Sequence, residues 1–375
     1  MNYRRLIAAM GIFILGLHAT AETPQASLKD AYAPEFRVGV AISTPAIQDN
    51  QQDALDLIAK QFNSATSENL FKWESIHPEP NRYDFEAADR FVDFGEEHGM
   101  FLVGHTLIWH NQTPGWVFED ENGKPLSREK LLERMREHIH TVVGRYAGRV
   151  HSWDVVNEAV NDDGTMRDTP WRKILGDDYL VHAFRFAKEA DPKCEVYYND
   201  YNLHLADKRD GVVRVLDSMG QSGTTVDGIG MQGHWGLDFP ADHEIEDSVA
   251  AFSKSAGKVM ITELDINVLP RPGQQTGADV TDRAELTSAM NPYTGGLPQD
   301  VQQRLADRYA HLFGLFAQQS DVIDRVTLWG LDDGQTWHNN WPIRGRTAHS
   351  LLFDRSLKPK PAFDAVLQTA EKSNR

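Results

Sequence analysis

The chain has 375 residues, enough for one large core or two smaller ones, and its net charge of −17 is spread along its length. Such a surface repels phosphate backbones, which sets nucleic acid aside as a partner. The single cysteine, Cys194, excludes an intrachain disulfide and a thiolate metal cage.

Arg4-Arg5, the apolar run 6–17 and the small-residue site Ala19-Thr-Ala21 form a secretory signal, the run being too short to span a bilayer. Cleavage before Glu22 is expected, with no lipobox cysteine, so a secreted or periplasmic protein free of the membrane is expected. Residues 22–35 read as a flexible lead-in and 36–372 as one domain. From Phe36 onward short apolar runs alternate with helical stretches eight times. The runs are 36–42, 62–66, 101–108, 150–156, 195–198, 228–231, 258–262 and 325–328. The helices that follow them are expected at 51–61, 85–98, 127–146, 178–190, 208–221, 245–255, 301–319 and 361–371.

Eight such units predict an α/β fold of the (β/α)8 TIM barrel type, a single catalytic domain. An open doubly wound sheet lacks its Gly-rich turn after the first strand here. Polar residues decide between the two. Glu68, Asn69, His105, Glu158, Asn199, Gln232, Glu263 and Trp329 fall at the carboxyl ends of different strands, which converge on one face only in a barrel. The connection 268–300 is far longer than the usual 2–6 residues and is expected to wall part of that face. Trp73, Trp153 and Trp171 read as packing, Cys194 as a small buried residue, Asn161–Gly164 as a turn, and His138-Ile-His140 as a solvated helix face.

Two strand-end glutamates, Glu158 and Glu263, are the minimum for acid-catalysed glycoside cleavage: one lends a proton to the leaving oxygen, the other attacks carbon or activates water. Asn157 is placed to bond a sugar hydroxyl beside the reacting carbon. Asp265 and His234 form an expected supporting pair, a carboxylate fixing an imidazole that in turn orients Glu263. No His-Glu-x-x-His, calcium loop or Gly-x-Ser-x-Gly elbow occurs, so no metal, no cofactor and no serine nucleophile is expected.

These residues bring the chain to a known pattern. Glu68-Asn69-Leu-Phe-Lys72-Trp73, Gly104-His105-Thr-Leu-Ile-Trp109-His110, Trp153-Asp-Val-Val-Asn157-Glu158, Tyr198-Asn199-Asp200-Tyr201, Gln232-Gly-His234, Ile261-Thr-Glu263-Leu-Asp265 and Trp329 with Trp337 occur in that order. The chain so resembles the family 10 glycoside hydrolases, the endo-β-1,4-xylanases, over about 36–367. The resemblance implies a retaining mechanism with Glu158 as acid/base and Glu263 as nucleophile, and a carboxyl separation of about 5–5.5 Å. It implies that Glu68, Asn69 and Lys72 bind the sugar two places to the non-reducing side of the cut. His105, Trp109, Gln232 and His234 would surround the sugar at the cut, Trp329 and Trp337 would form its floor and cover, and Tyr201 would face the first leaving-group sugar. The partner implied is xylan or its oligosaccharides, met by a monomer. The loop 268–300 and the stretch 338–346 depart from shorter members, which leaves subsite number and side-group tolerance open. A β-1,4-glucanase, an exo-acting xylanase and a non-catalytic carbohydrate-binding barrel are the rival readings.

Overall fold

The apolar runs pair, all in parallel, in a computed structural model that describes residues 27–273 and 279–373. The strands are β1 (Arg37–Ile42), β2 (Ser64–Ser67), β3 (Phe101–Ile108), β4 (Ser152–Asn157), β5 (Glu195–Asp200), β6 (Gly228–Met231), β7 (His234–Gly236), β8 (Lys258–Asn267) and β9 (Ile323–Leu328). β1 meets β2 through Gly39↔Ser64 and β9 through Arg37↔Arg325, and the β6–β8 pairing, Gly228↔Lys258, closes the ring. β7 resumes the line of β6 after Gln232 and Gly233 and pairs with β8 through His234↔Asp265. Gly233 turns this break at φ +86°, where a Cβ would also stand 2.9 Å from Ile261. The result is the expected (β/α)8 barrel, its sixth stave interrupted where it reaches the active face.

Between strands the chain returns through helices that bury one apolar stripe each. Helix Arg128–Arg145 starts at Ser127, whose hydroxyl accepts from the Lys130 amide, and buries Leu131, Met135, Ile139 and Val142 at helical spacing. His138 lies on that stripe. It is fully buried, its ring 3.6 Å from Trp73, so the expected solvated face holds only for His140, which meets Glu189 at 3.2 Å. Long-range stacking on Trp73 overrides the residue's polarity.

Two further expectations change. The part of the lead-in that is described is a short helix, Leu28–Ala31, and Tyr32 behind it is buried. Tyr32 stacks on Phe36 at 5.1 Å, meets Phe313, and donates to the Val366 carbonyl at 2.8 Å, which ties it to the C-terminal helix. The seventh run does not end before its glutamate: β8 carries Glu263 in mid-strand, with a register shift against β9 between Ile261 and Leu264. It runs on because Asp265 to Asn267 still have β7 to pair with. The signal segment 1–21 lies outside the described residues.

Candidate active site

The carboxyl ends of the strands gather one pocket of about 120 Å³. Glu68, Asn69, Lys72, His105, Trp109, Asn157, Glu158, Gln232, His234, Glu263, Trp329 and Trp337 all line it, joined by Gln112 and Val280. Asp265 sits behind the wall. Tyr201 stands beside the pocket, with its hydroxyl accepting from Arg167 at 2.6 Å and its ring 3.6 Å from the Lys208 ammonium.

A bulge-like register shift in β4 between Asp154 and Val156 re-aims the strand just before its acid. Glu158 then takes φ +59°, the left-handed region that non-glycine residues seldom occupy. Its amide donates to the Asn199 carbonyl at 2.9 Å, and Arg167 Nε donates to its carbonyl oxygen at 3.1 Å. These contacts fix a conformation the local chain would not choose.

Both acids are buried, and both are clothed in hydrogen bonds. Glu158 accepts from Trp109 Nε1 at 2.8 Å, Gln232 Nε2 at 3.0 Å and Asn157 Nδ2 at 3.2 Å. Glu263 accepts from Asn199 Nδ2 at 2.7 Å and faces His234 Nε2 at 3.1 Å. Asn199 Nδ2 also donates to Asn157 Oδ1 at 2.9 Å, so a short amide bridge links the two carboxyl groups. The acids therefore share one rim and one pocket.

Their environments push them apart. Burial raises Glu158 above its usual 4.5, and the charge of Glu263 adds to this against the bonds from Gln232 and Trp109. Burial acts on Glu263 too, but the bond from His234, the charges of His105 and His234 and the Asn199 amide outweigh it and hold Glu263 below 4.5. His234 pays the desolvation cost of burial, yet Asp265 and Glu263 carry it up to about 10, so it is an imidazolium at neutral pH. Asp265 accepts from His234 Nδ1 at 2.9 Å, Trp337 Nε1 at 2.7 Å and His338 Nε2 at 2.9 Å, and the two imidazoles, His338 and His234, overcome burial to keep it ionised. The expected supporting pair is present, with Asp265 serving the Trp337 indole as well.

The other end of the pocket is built on β2. Lys72 Nζ donates to Asn69 Oδ1 at 3.0 Å and Gln112 Oε1 at 2.9 Å, and lies 4.9 Å from the Trp109 ring. Burial lowers the Lys72 pKa and raises that of Glu68, each opposed by the other's charge. His105 is oriented by Asp154 at 2.8 Å. Trp329 meets His105 edge-on at 5.4 Å, and Trp337 lies 4.6 Å from His234, so two indoles flank the acid pair. Trp73 and Trp171 are buried behind the cleft and donate to the Leu107 and Trp109 carbonyls, as packing residues should.

Sequence reasoning gave no role to Gln112, Asp154, Arg167, Asn199 or His338. Asn199 carried a visible signal, an amide at a strand end, and Asp154 lies on β4 four residues before Glu158. Arg167 lies in a loop and His338 in a single 3-10 turn, neither with periodicity, so only tertiary contacts reveal them. The loop after Glu263 does reach the cleft: Val280 lines the pocket, Asp279 meets Arg167 at 3.4 Å and its carbonyl accepts from Trp341.

Residues 27–369 match the model of glycosyl hydrolase family 10. The chain is 43% identical over 343 residues to endo-1,4-beta-xylanase B of Paenibacillus barcinonensis, covering 91% of this chain and 97% of that protein. It is 40% identical over 362 residues to endo-1,4-beta-xylanase A of Xylanibacter ruminicola, covering 96% and 98%. A solved GH10 endoxylanase from a sugarcane soil metagenome superposes with a TM-score of 0.89 at 44% identity, over 91% of this chain and 99% of that one. The chain belongs to glycosyl hydrolase family 10.

Proposed function

We propose that this protein is a retaining endo-1,4-β-xylanase, with Glu263 as nucleophile and Glu158 as acid/base. The observation that carries the reading is the buried acid pair on one rim, one member held ionised and the other biased toward its protonated form. Glu263 attacks the anomeric carbon while the bond to the leaving oxygen breaks, and that oxygen takes the proton of Glu158. The glycosyl ester neutralises Glu263, so the pKa of Glu158 falls. Glu158 then removes a proton from water as the water attacks the ester-bound carbon, which releases the sugar and restores both groups.

Asn157, freed from Glu158 by substrate, bonds the hydroxyl beside the reacting carbon. Glu68, Asn69 and Lys72 bind hydroxyls of the sugar two places to the non-reducing side. His105, Trp109, Gln232 and His234 hold the reacting sugar between Trp329 and Trp337, and Tyr201 faces the first leaving-group sugar. The names of both relatives support xylan over β-glucan.

Two measurements test this. Reducing-sugar release from xylan should far exceed that from carboxymethyl-cellulose, and the reverse order refutes the substrate. A linear xylohexaose should give internal products early; xylose or xylobiose released stepwise from one end refutes the endo mode. The protein is further proposed to be exported as a monomer after loss of residues 1–21. Protein from the periplasm or medium should begin at Glu22, and an intact Met1 in the cytoplasm contradicts export.

A further inference from the structure

Inside the barrel, toward the amino ends of its strands and away from the acid pair, stands a cation with no counter-charge of its own. Arg325 on β9 is 1% exposed, and its Nε, Nη1 and Nη2 have no hydrogen-bond partner among the described residues. The guanidinium lies 5.4 Å from the Phe101 ring and 5.6 Å from the Tyr197 ring, which enclose it without balancing its charge. Three cations, Arg37, Lys258 and Arg325, gather at this end around two carboxylates. Asp324 pairs with Arg37 at 3.2 Å, while Glu195 holds Lys258 at 2.7 Å and accepts from the Tyr197 hydroxyl. Among the described residues Arg325 forms no ion pair, so the local excess is one positive charge. Two buried hydroxyls on the same inner face also have no partner. Thr327 Oγ1 stands two residues beyond Arg325 on β9, and Ser152 on β4 pairs with Glu195, which shares its face with Tyr197.

A buried guanidinium cannot shed its proton as a buried lysine can, and an uncompensated interior charge is strongly unfavourable. Water would solvate the N–H groups, but it leaves the charge in place and needs acceptors for its own hydrogens. The free groups here are donors, or hydroxyls that can turn to donate. An anion meets both needs. We propose that Arg325, with the Ser152 and Thr327 hydroxyls, binds one small monovalent anion of the halide class inside the barrel. One charge suffices because the excess is one. Enclosure by Phe101 and Tyr197 admits a compact ion and no sugar acid, so the site is separate from the cleft and does not depend on the xylanase reading.

The test uses bromide and chloride as probes on the full chain. Crystals equilibrated with sodium bromide should show an anomalous peak inside the barrel in contact with the Arg325 guanidinium. In solution, Tm should rise by about 2 °C per tenfold increase in sodium chloride. Sodium gluconate at equal ionic strength should not reproduce the rise, because its anion is too large to enter. Arg325→Met should lose both the peak and the chloride effect. Thr327→Val keeps the shape of the side chain and removes one donor; it should shrink the chloride effect, and it carries the test if Arg325→Met does not fold. Water density in place of the bromide peak, bromide bound only at the surface, equal Tm in chloride and gluconate, or a chloride effect that persists in Arg325→Met overturns the site.

Discussion

At the scale of single residues, the site turns on how differently two like carboxyl groups are treated. Glu158 holds a left-handed backbone conformation that costs about 1–3 kcal/mol, and it is placed among neutral donors. Glu263 has the His234 imidazolium beside it. The signs follow. Turnover needs Glu263 ionised, so the rate falls as pH drops through a pKa held below 4.5. It needs Glu158 protonated, so the rate also falls as pH rises through a pKa held above 4.5. In His234→Gln the main force opposing burial at Glu263 is lost, and the acidic limb of the kcat/KM profile should move to higher pH. An acidic limb that stays in place contradicts the role given to His234. Glu158→Gln should lower kcat on xylan by about 10²–10⁴-fold with an unchanged melting temperature; a loss of fold instead would mark the residue as structural.

At the scale of elements, the barrel positions the site through close strand contacts. Gly104 on β3 lies under the Trp153 indole, where an added Cβ would come within 2.1 Å of the ring. Trp153 in turn packs edge-on against Phe71 at 5.1 Å. Gly104→Ala should therefore destabilise by about 1–3 kcal/mol, read as a lower denaturant midpoint, and an unchanged midpoint would mean that Trp153 yields freely. The strands themselves were legible in the sequence because each is a short apolar run closed by a polar residue, as in Val150 to Glu158. Helix extents were largely legible, as the expected 127–146 against the observed Arg128–Arg145 shows. What escaped depends on contacts far apart in the chain. His138 needs Trp73 to be buried, Glu263 lies in mid-strand only because β7 extends β8, and Asp265 gathers Trp337 and His338 from a loop some seventy residues on.

At the scale of the whole molecule, the first and last strands of the barrel meet as β1 and β9, and residues near the two ends of the described chain reinforce that seam. Tyr32 wedges between Phe36 and Phe313 and bonds to the Val366 carbonyl. Tyr32→Ala should cost about 3–5 kcal/mol and Tyr32→Phe about 1 kcal/mol, both read from urea unfolding; equal effects would deny the ring its packing role. The stretch was read as a flexible lead-in because Leu28, Ala31 and Tyr32 make a single turn before Pro34 ends it. The closed barrel is what lets acids more than a hundred residues apart act on one sugar. The most direct measurement of that joint action is made on Glu158→Ala with an activated aryl β-xyloside and added azide. Such a leaving group needs no proton, so the glycosyl ester on Glu263 should form and then wait for a nucleophile. Azide should restore turnover and yield the β-xylosyl azide; an α-azide, or no azide product with turnover unrestored, would contradict double displacement through Glu263.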